Sequence, residues 1–300
     1  MDFPQEKQVK SGIVALVGPP NVGKSTLLNA LLGQKISIVS PKPQTTRNRI
    51  LGIVNGADHQ IVLLDTPGIH EARSPLNQEM VRIAVESLIE VDVIVFMIDT
   101  TFPVPARVGN AAAHLAAAGR PAILLINKTD LVAPETLLPI LDAYKNLYPF
   151  AAMIPISAQR GDGTDILLGE LLRLLPEGPR LYPEDIPTDA TERFIAAELI
   201  REKIFLHTTK EVPYSCAVTV DSFREETRKI VIDATIYVEK NSQKGIIIGK
   251  GGAMLKKIGR SARLDLQELL GVPVTLQLWV KVQKDWTRDA RFLRQLGLGE

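Results

Sequence analysis

Gly18-Pro19-Pro20-Asn21-Val22-Gly23-Lys24-Ser25 lies between an apolar run, Ile13 to Val17, and a helical pattern, Thr26 to Leu32. The stretch fits the phosphate-binding pattern G-x-x-x-x-G-K-[ST] in the strand, loop, helix order that the pattern requires. Its glycines let the backbone curl so that N–H groups point inward, and the helix that follows aims its positive dipole end at the same point. Such a cradle suits a polyphosphate. Gly18, Pro19, Pro20, Asn21, Val22, Gly23, Lys24, Ser25 and Thr26 are therefore candidate nucleotide-binding residues. Lys24 is expected to reach the β- and γ-phosphates, and the Ser25 hydroxyl to ligate the accompanying Mg2+.

Outward from this loop, short β-branched runs alternate with helical segments from Gly12 to about Leu175. Ile13 to Val17, Ile61 to Leu64, Val93 to Ile98, Ala122 to Ile126 and Met153 to Ile156 read as buried parallel strands, with Ile50 to Val54 an additional edge strand. Helices are expected near Lys24 to Leu32, Pro75 to Ile89, Val108 to Ala118, Glu135 to Tyr148 and Asp165 to Leu175. This alternation predicts an α/β fold, a doubly wound sheet with ligands at the carboxyl ends of its strands. A proline-bearing stretch, 176–190, reads as a linker. Beyond it the order becomes helix, strand, strand, helix, Gly249-Lys250-Gly251-Gly252, helix, strand and basic tail, a smaller α+β domain. The expected boundaries are 1–175, 176–190 and 191–300.

The 300 residues suffice for two domains with separate cores. The formal charge is only +1, but residues 241–300 carry eleven Lys/Arg against five Asp/Glu, so the C-terminal end is locally basic. Cys216 is the only cysteine, which excludes an internal disulfide and fits a reducing cytoplasm. No apolar stretch approaches the ~18 residues that span a bilayer, and no signal peptide is expected.

Two further motifs follow predicted strands. Asp65-Thr66-Pro67-Gly68 forms an Asp-x-x-Gly element, in which the aspartate can hold a magnesium-bound water and the Gly68 N–H can approach the γ-phosphate. Asn127-Lys128-Thr129-Asp130 decides the base. The Asp130 carboxylate can accept from guanine N1–H and the 2-amino group, whereas adenine offers neither donor, and such a polar pairing rejects the wrong ligand by about 10⁴-fold. Lys128 is expected along the base, Asn127 as a brace to the phosphate loop, and Ser157-Ala158 as the source of a backbone N–H for guanine O6. Pro41 to Arg47 is polar and long enough to move, as a switch loop that closes a threonine on Mg2+ would be.

Together these motifs resemble the translation-factor-related branch of P-loop GTPases, over the whole first domain. From the resemblance, Thr46 rather than Thr45 is the switch threonine, so Ser25, Thr46 and Asp65 form the expected metal set. Ile69 stands where Ras-like members carry the glutamine that orients water, and it cannot hydrogen-bond. Related GTPases with this replacement, and with asparagine at the place of Asn21, use a bound K+ against the phosphates. The resemblance thus implies Lys24, Thr46, Gly68 and Asn21 as catalytic residues, a GTP/GDP cycle with Mg2+ and K+, and slow turnover. An alternative is an RNA-binding assembly platform that binds GTP but hardly hydrolyses it.

Ile248-Gly249-Lys250-Gly251-Gly252, with Lys256 and Lys257 downstream, resembles the G-x-x-G loop of a type II KH domain, which clamps about four nucleotides of a single strand. Trp279 is expected in the core of the last strand. Trp286, beside Lys284 and Arg288, is expected to be exposed and able to stack on a base. Over nearly the whole chain, this combination is similar to the Era family of bacterial GTPases. That likeness implies binding of the 3′ end of 16S rRNA during assembly of the 30S subunit, a cytoplasmic monomer, and, in some members, loose association with the inner face of the membrane.

Overall fold

The computed structural model describes residues 8–70, 74–102, 105–108 and 111–298, which form two compact units. The first holds the described residues of Met1–Ser37, Thr46–Ala72 and Met80–Asp189. The second holds those of Ile38–Thr45, Arg73–Glu79 and Ala190–Glu300.

In the first unit β1 (Val9–Val17), α1 (Lys24–Leu32), β2 (Ile50–Asn55), β3 (His59–Asp65), α2 (Pro75–Glu86, of which Met80–Glu86 belongs to this unit), β4 (Val93–Asp99), α3 (Ala111–Ala118), β5 (Ala122–Asn127), α4 (Leu137–Tyr144), β6 (Ala152–Pro155), α5 (Thr164–Leu174) and β7 (Glu177–Gly178) follow in order. The sheet runs β2-β3-β1-β4-β5-β6, with β7 antiparallel to the start of β1. Only the β2–β3 pairing is antiparallel within that path. All seven residues of β4 are buried, as expected of a strand covered on both faces. α1 spans its sequence pattern and α5 is offset from its own by one residue, whereas α2 and α4 are shorter than theirs. After α2, Leu88 and Ile89 donate to Val85 and Glu86, so the last turn tightens to i to i+3 bonds before the chain enters β4. Pro105–Val108 and Pro134–Thr136 are 3₁₀ turns ahead of α3 and α4.

The proline-bearing stretch is not a free spacer. It straps the β2–β3 end of the sheet. Gln60, fully buried on β3, accepts from Leu181 N (2.6 Å) and Tyr182 N (2.9 Å) and donates to Tyr182 O and Asn55 Oδ1, both at 2.8 Å. Ile53 N donates to Pro187 O at 2.8 Å and the Thr188 hydroxyl to Leu51 O at 2.6 Å. An edge strand's unpaired backbone groups are thereby satisfied.

The second unit contains α6 (Glu192–His207), β8 (Cys216–Glu226), β9 (Lys229–Val238), α7 (Asn241–Ile248), α8 (Ala253–Leu270), β10 (Val274–Val282) and α9 (Ala290–Gln295). The sheet order is β10-β9-β8, with β9 and β10 parallel and β8 antiparallel, interrupted between Val220 and Ser222. Ile200 and Ile204 of α6, Ile247 of α7 and Ile258 and Ala262 of α8 share one buried core with Val218, Ile236 and Val280 of the sheet.

Both tryptophan expectations reverse. Val280 faces that core, so the strand's two-residue alternation turns Trp279 outward, where it is 45% exposed. Trp286 is fully buried and its indole N–H donates to Ser215 O at 3.0 Å. The expected basic tail folds into α9, capped by Asp289, and Phe292 packs edge-on against Tyr237 and Trp286. No helix among the described residues is long and apolar enough to cross a membrane.

Candidate functional site

The loop between β1 and α1 is braced from β5. Asn127 Nδ2 donates to Val22 O (2.8 Å) and Asn127 Oδ1 accepts from Ala158 N (2.9 Å), tying the loop to the end of β6. Gly23 has φ 101°, and a Cβ there would lie 2.2 Å from Asn127 Nδ2, so this brace demands glycine. No side chain caps the first turn of α1, which suits an anion at that end. Lys24 is buried, and its ammonium donates to Gly18 O (3.2 Å) and Pro19 O (3.0 Å). Burial pushes its pKa down to about 8 against the opposing pull of Asp65.

Ser25, Thr46 and Asp65 come together. The Ser25 hydroxyl donates to Asp65 Oδ2 at 2.5 Å and lies 2.9 Å from Thr46 Oγ1. Thr45 is directed elsewhere, donating to Lys42 O at 2.8 Å. Ser37 donates to the same Asp65 oxygen at 2.8 Å. Asp65 Oδ1 is buried without a hydrogen-bond partner, and burial raises the carboxyl's pKa, opposed by Lys24, Ser25 and Ser37. Two hydroxyls and a carboxylate with an orphaned oxygen form a hard, oxygen-only donor set of the kind Mg2+ takes. Thr66 and Pro67 lead away from this set: the Thr66 hydroxyl donates to Leu16 O (2.8 Å), and beyond Gly68 the Ile69 amide donates to Gly18 O (3.0 Å). Ile69 packs against the sheet's core. His70 Nδ1 lies 2.7 Å from Gly68 O.

At the base-binding end, Lys128, with φ 64°, donates to Asn21 O (2.7 Å) and pairs with Asp99 Oδ2 (2.6 Å). The Ser157 hydroxyl donates to Asp130 Oδ1 at 2.7 Å and is the main cause that holds the Asp130 carboxyl below its usual pKa. The aspartate is thus an acceptor at neutral pH. The two N–H groups at Ser157-Ala158 have partners within the protein: Ser157 N donates to Asp162 O and Ala158 N to Asn127 Oδ1. Asp99 and Ser37 were missed by the sequence reading. Asp99 at a strand's carboxyl end was a usable signal, whereas Ser37 carried none.

The polar loop after α1 divides. Thr46 belongs with the first unit, but Ile38–Thr45 belongs with the second, where α6 holds it. Val39 N donates to Glu202 Oε1 at 2.9 Å, Lys42 donates to the carbonyls of Phe205 and Thr208 at the end of α6, and Arg201, fixed by Glu198, donates to Thr45 O.

In the second unit Ile248 ends α7 half-buried, and Gly249, Gly251 and Gly252 all have positive φ. Gly249, at φ 70° and ψ 173°, could not carry a Cβ, which would lie 2.7 Å from Met254 Cβ. Lys250, Lys256 and Lys257 are exposed. Beside the loop a groove of about 530 Å³ runs between α8 and β10, its lining including Leu255, Lys256, Arg260, Arg263, Leu276 and Leu278. Its apolar floor and cationic rim suit bases below and phosphates above. Arg260 and Arg263 were not singled out from sequence, although their spacing from Lys256 places them on one helix face.

Residues 13–128 match the family described as 50S ribosome-binding GTPase and residues 211–287 match the KH domain family. The chain is 52% identical over 293 residues to "GTPase Era" of Syntrophus aciditrophicus, covering 97% of this chain and 96% of that one. It is 53% identical over 290 residues to "GTPase Era" of Geobacter metallireducens, covering 96% and 97%. A crystal structure of an Aquifex aeolicus Era variant bound to GDP·AlF4⁻ superposes with TM-score 0.94 at 44% identity, covering 97% of this chain and all of that one. A structure of Era in complex with MgGDPNP and nucleotides 1506–1542 of 16S ribosomal RNA superposes with TM-score 0.93 at 44% identity, with the same coverage.

Proposed function

The chain belongs to the Era family of GTPases, and on that premise we propose that its GTP cycle controls the holding of the 3′ end of 16S rRNA during assembly of the 30S subunit. Two observations on separate units support this reading. They are the convergence of Ser25, Thr46 and Asp65 beneath the phosphate loop and the glycine loop beside a cationic groove. Era with a GTP analogue and a 16S rRNA fragment supplies the precedent.

GTP enters with its base on Asp130, which Ser157 keeps ionised, and with its phosphates on the loop and Lys24. Asn127 holds the base loop and phosphate loop in one register. Ser25, Thr46 and Asp65 are the residues that would hold Mg2+, which neutralises charge on the β- and γ-phosphates. Ile69 is committed to the core, so no side chain at that position orients the attacking water. Hydrolysis is accordingly slow, without the contribution that such a glutamine makes. We assign Asn21 to a K+ site. Hydrolysis is expected to be faster in K+ than in Na+ at equal ionic strength, and equal rates remove Asn21 from catalysis. Asp130→Asn should move preference from GTP towards XTP.

In the second unit the backbone at Gly249 to Gly252 closes on phosphates while Lys250, Lys256 and Lys257 add charge. The protein then acts as a cytoplasmic monomer, with any association at the inner membrane face peripheral. The decisive experiment is anisotropy of a labelled 16S 3′-end oligonucleotide with the protein loaded with GDPNP or GDP. Tighter binding with GDPNP is expected, and equal affinities would overturn nucleotide control. Lys256→Ala and Lys257→Ala should each reduce the salt slope of RNA binding by about one.

A further inference from the structure

We propose that Ser37 is a positioning residue for the Asp65 carboxylate, and that Asn29 sets Ser37 in place. Neither residue lies in a recognised nucleotide motif. Ser37 is fully buried, and its hydroxyl donates to Asp65 Oδ2 at 2.8 Å. The other donor to that oxygen is Ser25, at 2.5 Å. Ser25 also reaches Thr46 and belongs to the cation set itself, so Ser37 is the donor whose one contact in this set is the carboxylate.

Ser37 is held by α1. Asn29 accepts from the amides of Ile36 (3.0 Å) and Ser37 (2.9 Å) through Oδ1, and donates to Ser37 O (2.7 Å) through Nδ2. One side chain thus clamps both peptide groups that aim the Ser37 hydroxyl. The helix that begins at the phosphate loop carries, one turn further along, the residue that fixes the far side of the metal carboxylate.

Two hydroxyls on Oδ2 restrict rotation of the carboxylate and leave Oδ1 as its buried oxygen without a partner. That is the oxygen free to serve a hard cation or its water. Groups that orient metal ligands without touching the metal commonly change affinity by about 10- to 100-fold when removed. In Ser37→Ala the carboxylate keeps Ser25 alone and can turn.

The inference rests on the reading that Asp65 belongs to a Mg2+ site, and the experiment separates the two. Release of a fluorescent GDP from the full chain is followed while Mg2+ is titrated, with a parallel series in EDTA. For Ser37→Ala the Mg2+ concentration giving half-maximal retention should rise on the order of ten-fold, with release in EDTA unchanged. Asn29→Ala should shift the same midpoint, and the double variant no further than the larger single shift, because the two act in series. If Asn29→Ala fails to fold, Ser37→Ala decides alone. An unchanged midpoint, or equal acceleration of release with and without Mg2+, overturns the positioning role. A wild-type protein whose GDP release ignores Mg2+ would instead sink the metal reading.

Discussion

Gly249 occupies a backbone region that essentially only glycine adopts, and it also has no room for a side chain. Gly249→Ala should therefore cost about 1–3 kcal/mol of second-unit stability and weaken RNA binding, read as a lower urea midpoint and a higher Kd. Asp130 presents a different case, in which one hydroxyl tunes one charge. Its pKa is depressed chiefly by Ser157, so guanine recognition by the ionised form persists below the usual carboxylate value of about 4 and is lost only as pH falls through the lower folded value. Ser157→Ala should move that acid loss of GTP affinity to higher pH, measured by titration calorimetry across the acid range. The motif residues were readable because each stands at a fixed offset from its neighbours at the end of a strand. Ser37 was not, because it lies in an irregular segment and its partner stands 28 residues away at the end of β3, and a serine meeting a distant aspartate leaves no spacing to recognise. The tryptophans were misassigned for the same reason: apolar character does not say which face of β10 looks inward, nor that α9 returns to cover Trp286.

Helices and strands were legible where the pattern is long and repeated, as in β4 and α8. The strap along β2 and β3 was not, since it is held by three hydrogen bonds of one buried glutamine and by bonds to a sheet edge. Gln60→Leu preserves apolar bulk but leaves the Leu181 and Tyr182 amides without their acceptor. A buried unpaired group costs about 1–3 kcal/mol; these bonds are only partly buried and Leu181 is exposed, so a loss of about 1–3 kcal/mol in the first unit's unfolding free energy is expected from urea denaturation. At the end of α6, His207 meets Ser261 and Lys257 of α8, Lys203 on its own helix and Lys42 of the incoming loop. Burial and the three ammonium groups lower its pKa. Below the ordinary histidine value of about 6.5 the unfolded chain then binds more protons than the folded one, so stability is lost as pH is lowered through that window. His207→Asn should flatten this acid slope in thermal melts, and a slope unchanged by the substitution would place the titrating group elsewhere.

For the whole molecule, control of RNA by nucleotide is a coupling free energy and must run both ways. The factor by which GDPNP in place of GDP tightens RNA is the factor by which RNA must favour GDPNP over GDP, and calorimetry in both directions checks the equality. The order of a P-loop domain and a KH domain could be read from sequence, because each carries a local glycine-bearing signature. The allegiance of Ile38–Thr45 could not, because it depends on contacts with α6 more than 150 residues away in the chain. That allegiance makes the protein less modular than a list of its domains suggests. A stop codon after Asp189 would not yield a self-contained front half. It would leave the Val39 amide, the Lys42 ammonium and the Thr45 carbonyl stripped of the helix that receives them, and transplanting the nucleotide-binding half onto another protein would require α6 to travel with it.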